Sequence, residues 1–244
     1  EGQGAGGVDA DGHAGERPHG AEGLRVLLVG DPARPTETGS HALTEWLYGV
    51  DVDGSLAYLA NGPDGTAVVD VSDPSAPVLR SVFDDNNLCS DGLSTAFVRG
   101  LAVQGNLVFV AEGNCGLRIL DLSNPDNPSS LGTLDTPGNA VQVAVSGDLA
   151  FVADSDGGLR IVDVSNPGNP FTRSVFTSPP YVNAVTVAGG FAFITGGHEG
   201  VWIVDVSDPD SPQQAGFFDT GDAAVGIAVE NERLFVADGL DGVY

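Results

Sequence analysis

An all-β fold of repeated four-stranded units is what the 244-residue sequence predicts, and three observations carry that expectation. First, a strand-and-turn segment recurs. Gly158 to Pro170 reads GLRIVDVSNPGNP, and it returns as GLRILDLSNPDNP from Gly116 and GVWIVDVSDPDSP from Gly200. Looser copies start at Gly65 (GTAVVDVSDPSAP) and Gly23 (GLRVLLVGDPARP). Second, the spacing is fixed. The fifth residue after each Gly is Leu28, Asp70, Asp121, Asp163 or Asp205, at intervals of 42, 51, 42 and 42. A constant period in this range marks a repeat architecture. Third, a two-stranded element lies between these segments. It spans Val50–Ala60, Leu101–Ala111, Val143–Ala153, Val185–Thr195 and Ile227–Ala237. Each copy is two short alternating runs around a Gly, Asn or Asp turn, a hairpin signature.

Each unit then divides into four strands. In the clearest copy these are Ala184–Ala188, Phe191–Thr195, Val201–Val206 and, after the Pro turn, Gln213–Phe218. Four strands in about 42 residues are the blade of a β-propeller. Helical repeats need long runs of 3.6-residue period, which these β-branched segments broken by Gly and Pro do not supply. Residues 1–22 hold few apolar side chains and read as a flexible, acidic, Gly-rich tail that adds no strand. The propeller is expected over 23–244.

Blade closure has two solutions. The first unit has only a third and fourth strand, and the last stops inside its third strand at Gly242-Val243-Tyr244. The chain also starts at Glu and contains no Met, as expected of a fragment or processed product. The preferred expectation is therefore a ring of six to eight blades truncated at the C-terminus. The alternative is a five-bladed ring in which Leu24–Val29 completes the last blade and protects its edge.

On the motifs Val201-Trp-Ile-Val-Asp205 and Leu159-Arg-Ile-Val-Asp163, each followed by a Ser-Asn/Asp-Pro turn, the chain resembles the LVIVD repeat family. That resemblance covers roughly residues 24–244. It departs at Leu28, where Asp is expected, and at Thr66-Ala67, where an apolar-Arg pair is usual. It implies a β-propeller of a bacterial or archaeal surface protein, without catalytic chemistry.

Composition narrows the function classes. Nine Arg, no Lys and 34 acidic residues give a net charge of −25, which repels nucleic acid and anionic lipid. No apolar run reaches membrane-spanning length. The nine extra residues in the 51-residue interval fall in Asp84–Val98, between the fourth strand of one blade and the first of the next. In a four-strand meander these four-to-one connections emerge on the same face as the two-to-three turns. Cys89 lies in the insertion and Cys115 in the two-to-three turn of the following blade. A Cys89–Cys115 disulfide is therefore expected, and with it an oxidising, extracellular or cell-surface location.

The repeated Asp70, Asp121, Asp163 and Asp205 are read as turn-fixing carboxylates, since four symmetry-related positions cannot share one active site. The Asp-Gly turns supply weak Ca²⁺ candidates, Asp154, Asp156, Asp238 and Asp241, but none has the distal Glu of a calcium loop. No other cofactor and no catalytic residue is expected. Trp46, Glu112, His198 and Glu199 mark a possible interaction face. The expected function is a non-enzymatic exported or cell-surface scaffold for a protein or glycan partner. An enzyme or small-ligand binder using the central channel is the alternative, and a structural cell-envelope module a third reading.

Overall fold

The computed structural model describes residues 7–10 (backbone only), 23–30, 33–43, 46–84, 89, 95–230, 233–239 and 242–243. Every named element is a β-strand. Four antiparallel sheets have four strands each: β4–β7 (Gly49–Asp53, Leu56–Ala60, Thr66–Asp70, Val78–Phe83), β8–β11 (Gly100–Gln104, Leu107–Ala111, Leu117–Asp121, Ser129–Leu134), β12–β15 (Gln142–Ser146, Leu149–Ala153, Leu159–Asp163, Phe171–Phe176) and β16–β19 (Ala184–Ala188, Phe191–Thr195, Val201–Asp205, Gln213–Phe218). A fifth sheet holds β20 (Ala224–Glu230), β21 (Arg233–Asp238) and β22 (Gly242–Val243). The innermost strands β4, β8, β12, β16 and β20 pack one on the next. The arrangement is a β-propeller of five blades, the count of the five-bladed alternative rather than of the preferred six to eight.

The amino-terminal strands depart from both expectations. β2 (Leu24–Leu28) pairs with β3 (Thr36–His41) and also with β1 (Gly7–Ala10), which lies inside the segment read as a strandless tail. The three form their own sheet, and β1 packs beside β4. Among the described residues β2 does not pair with β22. The physical reason is that a strand edge is satisfied by main-chain N–H and C=O groups, so Gly7–Ala10 serves as a partner although the segment around it holds few apolar side chains.

The core lies between the blades. Along β13, Ala150 and Val152 face back towards Phe109, Leu117 and Ile119 of the preceding blade. Phe151 and Ala153 face forward onto Val185, Ala192 and Ile194 of the next. The two-residue period of a strand thus feeds two cores from one strand. Trp202 packs at that second interface and meets Phe217 edge-on, with ring centroids 5.2 Å apart.

The third and fourth strands carry a repeated irregularity. Between Val68 and Val69, Ile119 and Leu120, Ile161 and Val162, and Ile203 and Val204, the register slips by one. The extra residues are Arg80, Leu131, Arg173 and Ala215. Such a bulge re-aims its side chain. Arg80 reaches Asp126 of the next blade's Pro turn with two bonds (2.7 and 2.8 Å), and Arg173 reaches Asp210 likewise. The following serines, Ser81 and Ser174, donate to the carbonyls of Pro125 and Pro209 at 2.6 Å. At the same position Gly132 leaves room for the Pro167 carbonyl, where a Cβ would collide. The Pro turns are thus docking points between blades as well as reversals.

The repeated aspartates hold those turns. Asp121, Asp163 and Asp205 each accept the hydroxyl (2.6 Å) and the N–H of the serine two residues on, and Asp70 accepts the Ser72 N–H at 2.9 Å. The serine hydroxyl, then the serine N–H, holds each carboxyl below its ordinary 3.8. A folded-state value below the unfolded one contributes stability that is present above about pH 4 and is lost as pH falls through the folded value. The thermal midpoint should therefore drop on acidification below that point. Asp163→Asn should be less stable at pH 7 and show a shallower acid drop. An unchanged midpoint and acid slope in this variant would contradict the turn-fixing role.

Candidate binding face and channel mouth

The two-to-three turns and the four-to-one connections do share a face. Isolated bridges join them from blade to blade: Gly62 to Val98, Gly113 to Ala140, Ser155 to Val182 and Gly197 to Ala224. Cys89 and Cys115 form a disulfide there, with Cα atoms 4.8 Å apart. Cys115 N donates to the Glu112 carbonyl, and Phe97 N reaches the same oxygen at 3.5 Å, so the bridged turn also anchors the chain entering β8. The insertion itself lies largely outside the described residues.

Tyr48, Arg99, Val141 and Asn183, each just before an inner strand, and Val225, the second residue of β20, fall at matching repeat positions and line one cavity of about 290 Å³. Gly49, Gly100, Gln142 and Gly226 form the next layer. The backbone repeats at this position but the side chains do not, which makes the mouth chemically asymmetric. Arg99 lies over the Phe97 ring, 5.0 Å from its centroid, and Phe97 meets Tyr48 edge-on, also at 5.0 Å. Gln142 Oε1 accepts the Val185 N–H, which leaves its amide N–H₂ as the remaining polar group.

Beneath this face, two blades carry a buried ion pair. Arg118 Nε donates to Glu112 at 2.6 Å, and Arg160 Nε donates to Asp154 at 2.7 Å. Asp154 is fully buried and also accepts Thr136 Oγ1 (2.5 Å) and the Gly138 N–H (3.1 Å). Sequence reasoning missed these pairs, although the signal was present. The residue just after the second strand and the second residue of the third strand change together: Glu112 with Arg118, Asp154 with Arg160, Gly196 with Trp202, and Asn61 with Ala67. In the fifth blade Asp238 is fully buried, and neither of its oxygens has a hydrogen-bond partner among the described residues. Its counterpart position is Tyr244, which lies outside the described residues.

The calcium candidates are not brought together. Asp154 is engaged by its three donors, Asp156 is exposed on the same turn, and Asp238 is two blades away. Asp241 lies outside the described residues. Among the described residues no group of three or more His, Cys, Asp or Glu is placed to hold a metal ion. Of the proposed face, His198 and Glu199 are exposed on the turn before β18, with His198 Nδ1 3.8 Å from Asp222. Trp46 is 38% exposed before β4. Glu112 is 3% exposed and paired to Arg118, so it supports the face from below and presents nothing at it.

The LVIVD repeat profile matches residues 48–85, 97–136, 137–177 and 180–220. The chain belongs to the LVIVD repeat family. Each matched LVIVD segment spans one four-stranded blade. No curated protein matches the chain. Among solved structures, a functionally unknown protein from Desulfotomaculum acetoxidans DSM 771 superposes with a TM-score of 0.70 at 14% identity, over 88% of this chain and 69% of that one. The computationally designed Ika8 protein gives 0.65 at 9% identity, over 92% and 64%. A chain of the mitotic checkpoint complex gives 0.68 at 13%, over 90% and 65%. At these identities the likeness concerns the fold alone, and this LVIVD chain spans about two thirds of the length of each. No helix among its described residues is long and apolar enough to cross a membrane.

Proposed function

We propose that this LVIVD propeller is an exported or cell-surface, non-enzymatic scaffold that binds a protein or glycan partner through the face where its two-to-three turns and four-to-one connections collect. The observation that carries this reading is the Cys89–Cys115 bridge, which pins the inserted connection to a turn on that face. Disulfides persist in oxidising compartments. Loops held by a rigid sheet scaffold are the usual bearers of recognition. Trp46, His198 and Glu199 supply exposed side chains on the same face.

The test is binding of the disulfide-intact protein to glycan and extracellular-protein arrays. The reading expects a reproducible binder whose signal falls at least tenfold in the triple variant Trp46→Ala, His198→Ala, Glu199→Ala, with the thermal midpoint unchanged. Binding that survives this variant at full strength would place recognition elsewhere and overturn the assignment of the face.

A further inference from the structure

Among the described residues, Arg99 is the one charged residue that lines the cavity at the channel mouth. Five other arginines sit against carboxylates: Arg25 with Glu37, Arg80 with Asp126, Arg118 with Glu112, Arg160 with Asp154 and Arg173 with Asp210. Arg99 has no such partner among the described residues. Its Nε is buried without a hydrogen bond, and its guanidinium carbon lies over the Phe97 ring, 5.0 Å from the centroid. A cation–π contact of this kind uses the face of the ring and leaves the guanidinium N–H groups free to donate, the fork that suits a carboxylate. A cation kept without a counter-ion is notable in a chain of net charge −25.

The remaining groups at the mouth define what would accompany the carboxylate. Asn183 and the free amide of Gln142 offer hydrogen bonds to hydroxyls. The exposed Tyr48 ring and Leu101 offer an apolar wall. The cavity, about 290 Å³, is at the small end of ligand pockets and fits one ring-sized molecule. We infer that the channel mouth binds a small hydroxylated carboxylate of the sugar-acid class, with Arg99 on the carboxylate, Asn183 and Gln142 on hydroxyls, and Tyr48 against the ring. The inference rests on the binding-face assignment and names the ligand class of that face.

The experiment is titration of the intact, disulfide-bonded protein with glucuronate, glucose and acetate at low ionic strength, followed by calorimetry and ligand-observed NMR. Saturable binding of glucuronate is expected, at least tenfold tighter than glucose or acetate. Arg99→Gln should lose at least tenfold for glucuronate and leave the weak glucose binding unaltered, with an unchanged thermal midpoint. Asn183→Ala gives a second variant that leaves the cation in place and should weaken glucuronate without affecting acetate. Equal affinity for glucose and glucuronate, or an Arg99→Gln protein that binds as the parent does, overturns the carboxylate subsite. Equal affinity for acetate and glucuronate overturns the sugar-acid class. Absence of any glucuronate binding overturns the inference as a whole. Array binding lost in the Trp46, His198, Glu199 variant would still uphold the face, so the two failures are distinguishable. A polymeric uronan competing with free glucuronate would identify a glycan source, and no competition would identify a free metabolite.

Discussion

Asp154→Ala is expected to destabilise the propeller by about 3–5 kcal/mol, the usual cost of removing one partner from a buried charge pair. Three donors converge on this carboxylate: Arg160 Nε, Thr136 Oγ1 and the Gly138 N–H. All three lose their acceptor at once, and Arg160, whose side chain is 13% exposed, is left with an uncompensated charge. The neighbouring contacts also span a strand end and the connection into the next blade, so the damage is to blade stacking as well as to one turn. The double variant Asp154→Ala, Arg160→Met should recover part of the loss, because an apolar replacement of the whole pair removes the stranded charge. Asp238→Asn should move the opposite way. Asp238 is as buried as Asp154 but has no donor on either oxygen among the described residues. Replacing a buried carboxyl group that no described donor reaches should stabilise by at least about 1 kcal/mol. Urea unfolding of the three proteins checks both signs. If Asp154→Ala were neutral, the buried pairs could not be what holds the turns beneath the face, and a destabilising Asp238→Asn would contradict the reading of Asp238 as a carboxyl group without a donor.

Removal of the disulfide is the second large effect. Replacing Cys89 and Cys115 by Ser should cost roughly 3–4 kcal/mol under the chain-entropy treatment of a 26-residue loop. The loss should appear as a lower urea midpoint, together with faster hydrogen exchange around Phe97 and Arg99, since the bridged turn accepts the Phe97 N–H. Mass measurement with alkylation supplies the companion check. Protein made in an oxidising compartment should take up no label before reduction and two labels after it. Two labels on folded, unreduced protein would remove the main support for an exported location. A Ser variant as stable as the parent would show that packing alone fixes the turn.

The repeat, the four-strand blade, the disulfide and the turn-fixing aspartates were all legible in the sequence. Each rests on an interaction within one unit or between adjacent units. Asp163 finds Ser165 two residues away, and the 42-residue period places Cys115 on the same face as Cys89 by strand count alone. The buried pairs were legible in principle, through the joint change of Glu112 with Arg118 and Asp154 with Arg160, but only once the pairing of β9 with β10 and of β13 with β14 was known. Glu112 shows the difficulty. A charged residue in a turn reads as exposed, and its burial follows from the arginine six residues on.

Sequence by itself therefore determined the all-β blade, its period, the face that carries the connections and the covalent link upon it, because strand periodicity and turn chemistry are local. Tertiary structure alone decided the rest. It joined β1 to β2, because main-chain pairing is indifferent to side-chain pattern. It gathered Tyr48, Arg99, Val141 and Asn183 from four blades around one cavity, because ring geometry brings residues 42 or 51 positions apart together.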